Sequence, residues 1–421
     1  MRELTSWLSG AADPRTFPYP SVLDEFHRVG KHFVEKEFLG LLDGARARVA
    51  GVTATRDGGP ARLLSDFLDV ALDKWDGRYD YRSYLALRLL RLPTGADDPP
   101  PAADDATARQ VRDRLLVRLV ADALAFELAA AAHTTDLLPQ RRPGPAVVTK
   151  RCRLGSRAAA AALARLGLGR AVDDAEPATA AAALHAIAVD LDAADDLPLR
   201  LSMLPVHITH DEYLFIRVLQ AYECLFAGVA DELRAAVAAL TGDTPVAAAD
   251  RLGYARDLLG TATPLFSLLA TMQPESFRTF RQYTEGASAI QSRSYKLAES
   301  LCHTPEEDRL DSAAYLSVPE VRARVRAGQP TVDEAYRSAV RGGRLDGPDH
   351  DLVARRMDAF AAALLQWRRT HHRIATRMLG PRAGTGYTEG TPYLAAVRDV
   401  PVFTPAIPDP GPIYPSGGGP A

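Results

Sequence analysis

Long apolar runs are missing from this sequence: no stretch of eighteen apolar residues occurs, and the opening MRELTSWLSGAADPRTF has no apolar core of signal-peptide length. Neither a membrane-spanning helix nor a secretory leader is expected. Cysteine is scarce. Cys152, Cys224 and Cys302 lie far apart, with no C-x-x-C and no C-x-x-C-H haem-attachment site, which argues against a disulfide framework and fits a reducing cytoplasm. Aromatics make up only 7% of the chain, and β-branched runs with period-two alternation are hard to find, so alanine and leucine dominate and helices are favoured. No charge of one sign prevails. The formal net charge is −3 with acids and bases interspersed, which leaves no basic face for nucleic acid or an anionic membrane. A dinucleotide fingerprint is absent too, because Gly167-Leu168-Gly169 lacks the third glycine and a preceding strand.

What is present is a succession of helical patterns. At 421 residues and 47% hydrophobic, the chain can bury one large core or two ordinary ones. Ser21 reads as the cap of a first helix with Val22, Phe26, Val29 and Phe33 on one stripe, interrupted by Gly30. RYDYRSYLALRLLRL follows a second amphipathic helix, with Tyr81 and Tyr84 at i, i+3. Pro99-Pro100-Pro101 marks a linker, and alanine-rich helical tracts continue to about residue 200. Thr209-His210-Asp211-Glu212 reads as a capping box for a very apolar helix. Farther on, Phe277, Phe280 and Arg281 precede a turn of small residues, Gly286-Ala287-Ser288-Ala289. An arginine beside aromatics there suits bidentate capture of a carboxylate, or a surface pairing with Glu275 or Glu285.

The stretch from Trp367 to Leu394, WRRTHHRIATRMLGPRAGTGYTEGTPYL, carries the most chemistry. Met357, Phe360, Leu364, Trp367, His371, Ile374 and Met378 recur at three- and four-residue spacings, one helical stripe. His371 lies in the stripe, and His372 is turned about 100° away, toward Arg368 and Thr376. A neutral imidazole on such a stripe is either a ligand for haem iron or a core histidine bonded to a carbonyl. The glycine-rich GPRAGTGYTEG that follows can bring backbone close to a ligand.

Four segments together resemble the tryptophan 2,3-dioxygenase superfamily of histidine-ligated haem aromatic oxygenases: YRSYLAL (81–87), HDEYLFIRVLQAYE (210–223), FRTFRQYTEGASAIQS (277–292) and the 367–394 stretch. They occur in the family's order. The resemblance implies an all-α protein, a haem-binding helical core with a large helical insertion. Its parts are an N-terminal extension (1–76), the tyrosine segment (77–94), the insertion (95–204), the oxygenase core (205–396) and a proline- and glycine-rich tail (397–421). It implies haem b and O2 as cofactor and co-substrate, an aromatic amino acid as small-molecule partner, and a cytoplasmic homo-oligomer, dimer or tetramer. Position by position, His371 becomes the proximal iron ligand, Arg281 the carboxylate clamp and Thr385 the ammonium contact in the Gly384-Thr385-Gly386 loop. Phe215 and Phe277 become ring-pocket walls, and Tyr81 reaches in, in the family from a neighbouring subunit. Ser288 matches the serine over the haem, and Leu219 stands where the family has the distal histidine that meets the indole N–H; these two are the candidate catalytic positions.

Three departures follow. Leu219 removes the hydrogen bond at the ring nitrogen, the kind of contact on which strong discrimination rests. Tyr387-Thr388-Glu389 replace a glycine and two serines in the loop, and Ala289 replaces a glycine in the small-residue turn. The leading expectation is oxygenation of L-tryptophan or a close derivative, most simply cleavage of the indole C2–C3 bond to an N-formylkynurenine-type product. One alternative is a monooxygenase or hydroxylase of a substituted tryptophan, indole or tyrosine in natural-product biosynthesis. A non-catalytic haem sensor is the alternative of a different class, and the retained Arg281 and Thr385 speak against it.

Overall fold

A computed structural model describes residues 1–50, 59–95, 104–169, 176–191, 196–380 and 390–404. Among these the fold is all-α. No strand occurs among them, only an isolated bridge between Gln140 and Thr209. Its axis is the Asp211–Thr241 helix, which is buried along most of its circumference because neighbours cover it on several sides. This helix alone among the described ones is long and apolar enough to cross a membrane, but 94% of its apolar window is buried inside the protein, as suits a core helix. Pro245–Leu269 packs along it, and the Gly347–Leu379 helix packs along Pro245–Leu269.

The Asp105–Ala131, Pro145–Arg165 and Pro177–Leu191 helices of the insertion pack on one another and on the two central helices. Small side chains permit the close approach: a Cβ on Gly155 would stand 2.7 Å from Leu124 Cδ2, and Ala159 and Ala162 are fully buried. The insertion therefore shares the main apolar core rather than forming its own. A buried ionic group joins the two parts. Arg151 donates to Glu127 (2.7 Å) and to Asp211 (2.6 Å), all three without exposure, and reaches the Thr271 hydroxyl at 3.0 Å. Asp211 also accepts the Gln273 N–H at 2.7 Å, just before the Pro274–Arg281 helix. Arg151→Met is expected to leave two carboxylates buried without their cation, costing about 3–5 kcal/mol. A lowered urea midpoint would register it; an unchanged midpoint would contradict this role.

Residues 1–50 and 59–72 contribute to a smaller apolar cluster that includes Trp7, Phe26, Phe38 and Phe67. Its first long helix is Tyr19–Val29, so Ser21 sits inside the first turn; Pro18 occupies the cap and Pro20 an early position that needs no N–H partner. Gly30 ends the helix at φ +85°, where a Cβ would meet the Val206 carbonyl at 2.6 Å. The close approach lets Lys31 N–H donate to the Pro205 carbonyl at 2.8 Å. Because the helix stops there, the expected stripe loses register: Phe33 is 44% exposed, in a surface group of rings with His32, His207 and Tyr283.

The expected capping box before the central helix does not form. Glu212 is buried and accepts instead from the N–H groups of Val206 (2.7 Å) and His207 (3.0 Å). The incoming segment folds back over the helix start, and its amides reach the carboxyl before the Thr209 backbone can.

Candidate functional site

The central helix and the Gly347–Leu379 helix meet through the Trp367 indole, whose ring lies 4.8 Å from Phe226 and 6.1 Å from Tyr222. Beside this junction lies a cavity of about 220 Å3.

Helical periodicity puts Phe215, Leu219, Tyr222, Glu223 and Phe226 on the cavity face of the central helix. Trp367, His371, Ile374 and Met378 line it from the Gly347–Leu379 helix, as their spacing implies. Arg368 departs from the sequence reading. It was placed with the outward His372, yet it is buried at 4% exposure, because its guanidinium finds Glu299 and the Tyr295 hydroxyl inside.

Phe277, Phe280 and Arg281 enter from the Pro274–Arg281 helix, and Ser288 from the small-residue turn. Phe215 meets Phe277 at 5.5 Å and Phe280 at 5.2 Å, an apolar wall of tilted rings. Arg281 lies on this wall. Tyr81 also lines the cavity and comes from the same chain. Its N–H donates to Gln291 Oε1 at 3.1 Å, which also accepts the Ser288 N–H at 3.2 Å.

Leu219 is 9% exposed and lies in the wall. Gly384, Thr385, Gly386 and Tyr387 lie outside the described residues; Gly390, Tyr393 and Leu394, just after that loop, do line the cavity.

His371 decides between its two sequence readings. No described protein group donates to or accepts from either ring nitrogen, so it is not a core histidine bonded to a carbonyl. Its ring lies near Trp367, at 5.1 Å, and Phe266, stacked at 6.1 Å, and it lines the cavity. Burial, with a smaller push from His372, lowers its pKa to about 4. At neutral pH it therefore presents an uncharged imidazole to an apolar chamber, the donor that a haem iron takes. Free imidazole, apolar walls and space fit that group.

Sequence reasoning missed two wall residues. Burial raises the pKa of Glu223, and its carboxyl is hydrogen-bonded by Ser292, Ser294 and Tyr81, with Oε2 unpartnered. Lys296 also lines the cavity, and its i, i+3 spacing from Glu299 on one helix was the signal available.

Comparisons with known proteins agree with this geometry. The family model for tryptophan 2,3-dioxygenase matches residues 189–320. A tryptophan 2,3-dioxygenase of Nocardioides sp. (strain ATCC BAA-499 / JS614) is 30% identical over 213 residues, 44% of this chain and 79% of the relative. That of Anaeromyxobacter sp. (strain K) is 29% identical over 230 residues, 48% of this chain and 85% of the relative. One from Burkholderia ambifaria (strain MC40-6) is 28% identical over 233 residues, 47% and 75%. More than half of this chain thus lies outside each match. With an all-α fold among its described residues, the chain belongs to the tryptophan 2,3-dioxygenase family, a family of haem-dependent oxidoreductases.

Proposed function

We propose that the protein is a haem-dependent oxygenase of L-tryptophan or a ring-modified tryptophan, and that ring cleavage across C2–C3 is its simplest reaction. The observation that carries this reading is that an unpartnered neutral imidazole and an arginine line one apolar, ring-walled cavity. Bound through His371, haem supplies the binding and activation of O2. The protein's part is positioning. Arg281 holds the substrate carboxylate in a planar fork, Thr385 is assigned the ammonium group, and Phe215 and Phe277 flank the ring. No base acts at the ring nitrogen, since Leu219 offers none. Burial raises the pKa of both Tyr81 and Glu223.

The direct test is anaerobic reduction of the haem-loaded protein with L-tryptophan, then air, following the haem spectrum and the product mass. Gain of two oxygen atoms with kynurenine-type absorbance supports the dioxygenase. A sound haem spectrum without turnover of tryptophan would instead favour the second reading, a monooxygenase of a substituted indole or phenol, for which Leu219 is the specific observation. Replacing that residue gives a sharper comparison. Leu219→His is expected to raise the kcat/KM preference for L-tryptophan over its N1-methyl derivative by about tenfold or more, because the methylated ring leaves the new acceptor unpaired. An unchanged ratio would place the ring elsewhere in the cavity.

A further inference from the structure

Beside His371's cavity, the wall carries more buried positive charge than its own carboxylate balances. Glu299 accepts from Arg368 (3.1 Å) and Arg309 through Oε1, and from Lys296 and the Tyr315 hydroxyl, each at 3.2 Å, through Oε2. Side-chain exposure is 15% for Arg309, which reaches solvent, but 2% for Lys296 and 3% for Arg368. One carboxylate thus serves two wholly buried cations. Burial raises the pKa of Glu223, the other carboxyl in the wall, and among the described residues neither Lys296 nor Arg368 pairs with it.

The excess is not relieved by deprotonation. Burial is the largest single influence on Lys296 and lowers its pKa, but Glu299, Tyr393 and Tyr295 together outweigh it and the net shift is upward; the Tyr295, Tyr315 and Tyr393 rings stand 5.1–5.6 Å from the ammonium. A buried cation without a counter-charge is costly, and a cavity beside it offers a place for one. Arg368 spends its donors on Glu299, Tyr295 and the Val400 carbonyl. Lys296 has two partners among the described residues, Glu299 and the Tyr393 hydroxyl at 3.0 Å, leaving one N–H of its three on the cavity side.

We propose that Lys296, with Tyr393, forms a second carboxylate-docking point on the cavity wall, separate from Arg281. The inference rests on the haem-oxygenase reading, and the carboxylate is either an acidic side arm of the haem or the acid group of the amino-acid substrate.

Haemin and its dimethyl ester, titrated into the full chain and into Lys296→Met and Lys296→Arg, separate these sources. If the haem supplies the carboxylate, the wild type prefers the free acid by about tenfold or more, Lys296→Met loses the preference, and Lys296→Arg regains most of it. If the substrate supplies it, the haemin preference survives Lys296→Met, while the loaded variant loses its discrimination of L-tryptophan from tryptamine, which lacks the carboxylate. Loss of neither preference overturns the proposal. Should Lys296→Met fail to fold, Tyr393→Phe removes the paired hydroxyl without touching the charge, and it should weaken the same preference in part; no change there overturns the proposal equally. A wild type that binds no haemin at all would instead overturn the oxygenase reading itself.

Discussion

His371→Ala is expected to fold, to bind haemin more weakly than the wild type, and to lose the spectrum of an imidazole-ligated iron, whereas His372→Ala keeps both. The two residues are adjacent, yet only His371 opens into the cavity; its neighbour lies on the outer turn, with its carbonyl accepting from Thr376. Loss of even an outer-shell partner of a metal ligand costs about 10- to 100-fold in affinity, so loss of the ligand itself should exceed this. Equal spectra for the two variants would overturn the assignment. The same histidine has a signature without haem. Its pKa of about 4 in the folded protein lies below the ordinary 6.5, so between these values the unfolded chain binds the extra proton. The apoprotein's stability is then complete above about pH 6.5 and falls as pH drops toward 4, by about 3 kcal/mol from this group. His371→Ala should lack that component of the acid limb, which urea midpoints at pH 7 and pH 5 would show.

The second large effect concerns the substrate. Arg281→Ala should leave haem content unchanged and weaken L-tryptophan binding by about 2–4 kcal/mol, roughly 30- to 1000-fold, because a carboxylate taken out of water loses its charged partner. Arg281→Lys should recover only part, since a point charge cannot reproduce the guanidinium fork. A ligand lacking the carboxylate, tryptamine, should bind wild type and Arg281→Ala alike. Unchanged tryptophan affinity in Arg281→Ala would remove the amino-acid assignment and return weight to a haem protein without this substrate.

Much of the site was legible before folding because it is written in helical periodicity. Phe215, Leu219, Tyr222 and Phe226 share a face by spacing alone, as do Trp367, His371, Ile374 and Met378, and both faces line the cavity. Periodicity failed where a local break or a buried partner intervened. Gly30 stopped a helix and turned Phe33 outward. Glu212 abandoned its cap for the amides of Val206 and His207. Arg368, on the charged side of its helix by sequence, went inward to Glu299, 69 residues away.

By itself the sequence determined the helical class, the faces that look inward, and the residue types offered to a ligand, since all three depend on neighbours three or four positions apart. Only the tertiary structure decided that His371 has no described protein partner and that the Tyr81 N–H and the Ser288 N–H share one acceptor, Gln291. It alone also joined the insertion to the oxygenase core through Arg151, Glu127 and Asp211, and set Lys296 and Arg368 around one carboxylate. Each of these depends on groups brought together across the chain, where burial and charge act through distance in space and sequence spacing carries no record of it.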